Sequence, residues 1–272
     1  MDDLHRPGLP RVVLMCHDGD RIDTEGLAAW IASSMDLVGI IRIKERRSRM
    51  WQRIRREIKR VGFWRFLDVL AFRLYYQVVW SRRDSIWAVA EIKRLRQKYT
   101  VNPMGVMNLV TADPNSESVK TFLRWVRPNL MLARCKSLLG NDVFSIPSHG
   151  TYVLHPGICP EYRNAHGCFW ALVNRDKQKV GMTLLRVDPG VDTGPMLLQS
   201  SYGFDELHES HTVMQYRVVL ENLDAIADKL KSAWRGKVEP LPVKKRKSAT
   251  WGQPWLSAYL RWKQAARQEA AR

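Results

Sequence analysis

Residues 154–172, LHPGICPEYRNAHGCFWAL, and residues 187–194, VDPGVDTG, decide how this chain is read. Two histidines, a run of glycine and proline and an aspartate sit between strongly apolar segments, more chemistry than a turn needs. His155 ends the apolar run TYVLH (151–155), and Asp192 lies in the loop beyond GMTLLRV (181–187). In a parallel α/β sheet, binding groups collect at the carboxyl ends of strands, where loops leave the sheet. Both residues are therefore expected on one rim. A carboxylate beside an imidazole favours the charged ring and fixes its tautomer, which suits a histidine that donates to a developing oxyanion. The same pair could equally be a structural hydrogen bond.

Outward from this segment the chain alternates. PRVVLMC (10–16), DLVGIIRI (36–43), MGVMNLV (104–110), NLMLARC (129–135), TYVLH and GMTLLRVD (181–188) read as six strands. TEGLAAWIASS (24–34), SIWAVAEIKRLRQKY (85–99) and SESVKTFLRWV (116–126, with Asn115 as N-cap) repeat apolar residues at helical spacing. A last helix is expected over 215–234. Strand and helix in alternation predict an α/β fold, an open, mostly parallel Rossmann-like sheet. No GxGxxG follows the first strand; the loop there is MCHDGDRIDTEG, so a nicotinamide or flavin fingerprint is missing.

Two segments exceed this minimal plan. Residues 42–65 hold eleven basic and two acidic residues, and GFWRFLDVLAFRLYYQVVW (62–80) is apolar on nearly every side. This basic helical insert, about 45–83, is either packed on the sheet edge with a solvated face, or laid on an anionic membrane surface or gripping an anionic substrate. Residues 241–272 form a basic tail that follows a domain ending near residue 240 and is expected either to wrap the core through Trp251, Trp255 and Trp262 or to serve as an interaction arm. The net charge of +17, from 44 Lys and Arg against 27 Asp and Glu, implies an anionic partner without naming it. The four cysteines show no CxxC spacing, which points away from a disulfide scaffold or zinc site and toward a cytoplasmic setting. HESH (208–211) places two histidines three apart but lacks further ligands, so no metal is expected. The N-terminal MDDLHRPGLPRVVLM lacks signal-peptide form, and no run is apolar enough to span a bilayer.

The quoted segment resembles the core of the folate-dependent formyltransferases, which include methionyl-tRNA, glycinamide ribonucleotide and aminosugar N-formyltransferases. HPG (155–157), CPEYRN (159–164), WAL (170–172), GMT (181–183) and DTG (192–194) stand in that family's order and spacing. The match is clearest over about 100–200 and is most similar to the sugar-type branch. The resemblance implies a sheet of the formyltransferase type and 10-formyltetrahydrofolate as donor. It implies that His155 polarises the formyl oxygen and that Asp192 holds His155 protonated and assists proton removal from the attacking amine. Asp188, Gly190 and Val191 would line the pterin pocket with Val153. His17, Asp18, Tyr162, Arg163 and His166 are expected near a small-molecule amine or aminosugar acceptor. The barrel appended to tRNA-acting relatives does not fit in the last seventy residues, so nucleic acid is the less expected partner.

One position departs from the pattern. The asparagine that the family carries two residues before the histidine is Val153 here, and a valine cannot donate. Loss of one oxyanion donor costs about 2.7–4 kcal/mol, or roughly 10²–10³ in rate. Asn164 stands where the family has glycine and is the candidate to restore a donor. The alternatives are formyl-folate hydrolysis or another acyl-type reaction on the same fold, or a binding protein without catalysis.

Overall fold

The computed structural model describes residues 6, 8–44, 54–55, 57–101 and 105–272. Part of the basic insert, residues 45–53 and 56, lies outside the described residues. Seven strands form one sheet: β1 (Arg11–His17), β2 (Asp36–Ile43), β3 (Met107–Thr111), β4 (Leu130–Arg134), β5 (Thr151–His155), β7 (Gly181–Arg186) and β8 (Met196–Ser201). A short β6 (Arg163–Asn164) pairs instead with β9 (Thr250–Trp251). The sheet order is β3-β2-β1-β4-β5-β7-β8. The first five strands are parallel, and the order reverses between β1 and β4, the switch point where ligands bind in such sheets.

The last two strands correct the sequence reading. GMTLLR was expected to continue the parallel series, but β7 runs antiparallel to β5, and β8, which the six-strand plan lacks, runs antiparallel to β7. Only nine residues join β7 and β8, enough for a hairpin and too few for a crossover helix.

Alternation along β1 splits the core. Val12, Leu14 and Cys16 face one layer, built with α1 (Ala28–Ser34), α6 (Gly167–Val173), α7 (His211–Leu220) and α8 (Leu223–Trp234). Val13 and Met15 face the other, built with α4 (Glu117–Val126) and α5 (Asn141–Phe144). The N-cap of α4 is Ser116 rather than Asn115, whose carboxamide instead bonds Gly140 N and Leu138 O. The expected single helix over 215–234 is two, broken at Glu221 and Asn222. Described insert residues form α2 (Phe63–Val79) and α3 (Ser81–Lys98). Phe72 of α2 packs on Phe169, His211 and Tyr259, and Asp68 accepts from Ser257 at the start of α9 (Leu256–Ala270).

Candidate active site

His155 ends β5 and is 4 % exposed. Its Nε2 lies 2.7 Å from the carbonyl oxygen of Tyr162, and its Nδ1 lies 3.4 Å from Asp192 Oδ2. Both ring nitrogens thus face oxygen atoms, which fixes the orientation of the ring. Asp192 reaches this place by an unexpected path. Because β7 is antiparallel, the 187–195 loop leaves beside the start of β5, not its end, and folds back along the sheet to meet His155.

The loop is held in that shape by its own residues. Asp188 Oδ1 accepts from Gly190 N and Thr193 Oγ1, at 3.0 and 2.7 Å, and Val191 O accepts from Arg163. Asp192 adopts φ 51°, in the left-handed region, and its Oδ2 accepts the backbone N–H of Asn164 at 2.7 Å. On the facing loop, Gly157 and Gly167 nearly touch: a Cβ at Gly157 would sit 2.7 Å from His155 Nε2 and 2.6 Å from Tyr162 O. Glycine at 157 is therefore what lets the imidazole and the Tyr162 carbonyl meet.

Other expected site residues are distributed differently. The Asn164 side chain, the proposed replacement donor, gives its amide to Trp251 O, so Asn164 serves Asp192 through its backbone. Val153 shares the His155 face of β5 and joins an apolar cluster with Cys159, Leu185 and Met196. Tyr162 is buried, bonds Asp176 and stacks on Trp251, while Arg163 ties Val191 O to Thr250; both side chains act as struts. His17 ends β1 and Asp18 follows it, two strands from β5 and so about 10 Å away across the sheet. His17 Nε2 accepts from Lys136 N, and Asp18 lies 3.5 Å from Arg42.

His166, expected beside the acceptor, is turned into an aromatic nest. Its Nδ1 is 3.2 Å from Gln215 Nε2, and its ring is 5.8 Å from that of His211. Burial holds both imidazoles neutral, lowering His166 well below the usual range and His211 to about 3, with the nearby charge of Lys263 adding to the effect on His211. The consequence is acid lability. Between pH 6.5 and about 3 the unfolded chain binds a proton that folded His211 excludes, so this residue removes stability on acidification, by up to about 1.4 kcal/mol per pH unit. Above pH 6.5 the contribution is constant. His211→Phe should flatten the slope of unfolding free energy measured by urea titration between about pH 4 and about pH 7; identical slopes in both proteins would refute the assignment.

Two features lie outside the sequence reading, and for a third the structure decides between its two alternatives. Thr183 sits opposite His155 in the ladder, donates to Gly157 O and accepts from Cys159 N, fixing the loop that begins at the histidine. Arg134, at the end of β4, donates to Leu154 O and lies 3.3 Å from buried Asp23. Burial pushes the Asp23 carboxyl up to about 7, with Arg134 pulling it down and Asp20 pushing it up. A charged residue closing a buried strand was the available signal for Arg134. The third is the tail, which wraps the core rather than standing off as an interaction arm. Ala249 bonds Pro160, Arg246 pairs with Glu161, and Trp251 lies between Tyr162 and Trp170, so residues 241–255 strap the 159–164 loop. Among the described residues, no group of three or more His, Cys, Asp or Glu is placed to hold a metal.

This geometry has counterparts. The model of the formyl transferase family matches residues 88–230, more than half of the chain. Methionyl-tRNA formyltransferase of Thermotoga neapolitana is 34% identical over 119 residues, 41% of this chain and 38% of that protein. The mitochondrial 10-formyltetrahydrofolate dehydrogenase of Homo sapiens is 28% identical over 137 residues, 50% of this chain and 15% of that protein. The chain thus spans well under half the length of these relatives. A phosphoribosylglycinamide formyltransferase from Anaplasma phagocytophilum shares the fold at TM-score 0.54 and 15% identity, covering 90% of this chain and 100% of its own. A 4-N formyltransferase from Francisella tularensis does so at TM-score 0.54 and 11% identity, covering 94% and 87%. With the family model spanning the His155 strand, the Asp192 hairpin and the helices around them, the chain belongs to the formyl transferase family.

Proposed function

We propose that this protein transfers a formyl group from 10-formyltetrahydrofolate to the amine of a small, sugar-like acceptor. The observation that carries this reading is the His155–Asp192 pair, 3.4 Å apart at the carboxyl end of β5, with His155 buried and Asp192 half-buried. The carbonyl oxygen of Tyr162, 2.7 Å from Nε2, marks that nitrogen as able to hold an oxygen. In the reaction the acceptor amine attacks the formyl carbon, the bond from that carbon to the folate nitrogen breaks, and the amine's proton passes to that nitrogen. His155 donates to the oxygen that becomes negative, and Asp192 steadies the ring and relays the amine proton. Asp188, Gly190 and Val191 form the hairpin beside the pair and are the residues proposed to line the pterin. His17 and Asp18, on the β1 end of the same rim, are proposed to face the acceptor.

A small acceptor is favoured by the likeness of residues 154–194 to the sugar-type branch. Val153 supports a second reading, formyl-folate hydrolysis, in which water replaces the amine. The four free cysteines agree with a cytoplasmic setting. The test is calorimetric titration with a stable 10-formyl folate analogue. Wild-type protein is expected to bind it, and Asp192→Ala to weaken binding by about tenfold, as for loss of a charged hydrogen bond. No binding at high analogue concentration would sink both readings.

A further inference from the structure

Eight large apolar residues are exposed on two consecutive helices: Phe63, Trp64, Leu67, Leu74, Val78 and Val79 on α2, and Ile86 and Val89 on α3. On α2, Phe63, Leu67, Leu74 and Val78 recur at helical spacing, with Trp64 beside them. They form a stripe opposite the buried Phe66, Val69 and Phe72, so α2 is apolar on its outer face as well as its inner one. Trp64, Leu74 and Val78 are 81%, 70% and 84% exposed, which no packing among the described residues explains.

Among the described residues, the exposed charges on α2, on α3 and just before α2 are of one sign. Arg82 and Lys93 share the exposed stripe of α3 with Ile86 and Val89, and Arg55, Lys59 and Arg73 are exposed on and before α2. The acidic residues here are engaged: Asp84 is buried under Tyr76 and Ser210, Asp68 holds Ser257, Glu91 holds Arg94 and Glu57 holds Arg60. What remains outward is aliphatic and aromatic surface fringed by cations.

We propose that the α2–α3 hairpin docks on an anionic lipid surface, with the stripe at the headgroup boundary and the arginines and lysines on lipid phosphates. No described helix is long and apolar enough to cross a membrane, so the geometry is that of a helix lying in the interface. The aliphatic character of Leu74, Val78, Ile86 and Val89 favours lipid over nucleic acid, whose phosphates leave such side chains nothing to bury against. The positive fringe disfavours a second copy, which would bring like charges together. The proposal does not depend on the reaction.

The test is co-sedimentation of the full chain with vesicles of phosphatidylcholine alone or mixed equally with phosphatidylglycerol. Binding is expected to the mixed vesicles, and to weaken as salt rises from about 0.1 M to about 1 M and the Debye length falls from about 10 to about 3 Å. Leu74→Ser with Val78→Ser should lower the partition coefficient by about tenfold or more. Both positions are outward, so an unchanged melting curve is expected and would show that the fold is intact. Equal sedimentation with neutral and anionic vesicles, or unchanged binding by the serine variant, would overturn the proposal. So would sedimentation-velocity evidence of a dimer that the serine variant dissociates, because the face would then belong to a second copy.

Discussion

His155→Ala should lower formyl transfer by about 10²–10⁴, the usual contribution of a positioned proton donor. The loss is expected mainly in kcat, since the imidazole meets its oxygen most strongly when charge develops there. The variant also leaves Asp192 facing a gap, with the Asn164 N–H still bonded to that oxygen. Asp192→Ala should cost nearly as much, because the carboxylate sets the ring's orientation. The two act as a unit, so the double variant should be only slightly worse than either single one. Single-turnover consumption of 10-formyltetrahydrofolate with an aminosugar acceptor reads all three, and melting curves control for folding. A His155→Ala protein within about threefold of wild type would remove the histidine from the chemistry.

The parts legible in the sequence were those written in local pattern. The run of HPG, EYR, WAL, GMT and DTG placed His155 and Asp192 in one site before any coordinates, and β5 has the bounds that TYVLH predicted. The argument for their meeting was wrong in detail, because a short apolar strand carries no mark of direction. GMTLLR reads the same parallel or antiparallel, and only the brevity of its link to β8 hinted at a hairpin. The orientation of Asn164 and His166 was unreadable for a different reason. Their partners, Trp251 O and Gln215, lie 87 and 49 residues away, and hydrogen bonds across such separations leave no periodicity. The outward stripe of α2 shows the reverse case. Its apolar surplus was visible in GFWRFLDVLAFRLYYQVVW, but which face was surplus became clear only once Phe66, Val69 and Phe72 were seen to be buried.

Val153→Asn should raise the rate of formyl transfer while lowering stability, and the opposite signs make the result easy to read. Position 153 lies two residues before His155 on the same face of β5, so its side chain sits about 6.8 Å along the strand from the imidazole. An amide there adds a donor where the family keeps one, worth about 2.7–4 kcal/mol at the transition state, or a gain of roughly 10²–10³. The same amide replaces an isopropyl group packed near Cys159, Leu185 and Met196, with Leu241 against them. Burying it there costs about 1–3 kcal/mol unless it finds a partner, which for a chain of this size lowers Tm by about 2–10 °C. Val153→Ala is the control: it removes methyl groups without adding a donor, so it should destabilise and leave the rate unchanged. A faster, less stable Val153→Asn protein would mean that the native site performs the family's reaction one donor short. Lower stability with no gain would mean that another group already supplies the donor, or that the native chemistry does not pass through an oxyanion beside His155.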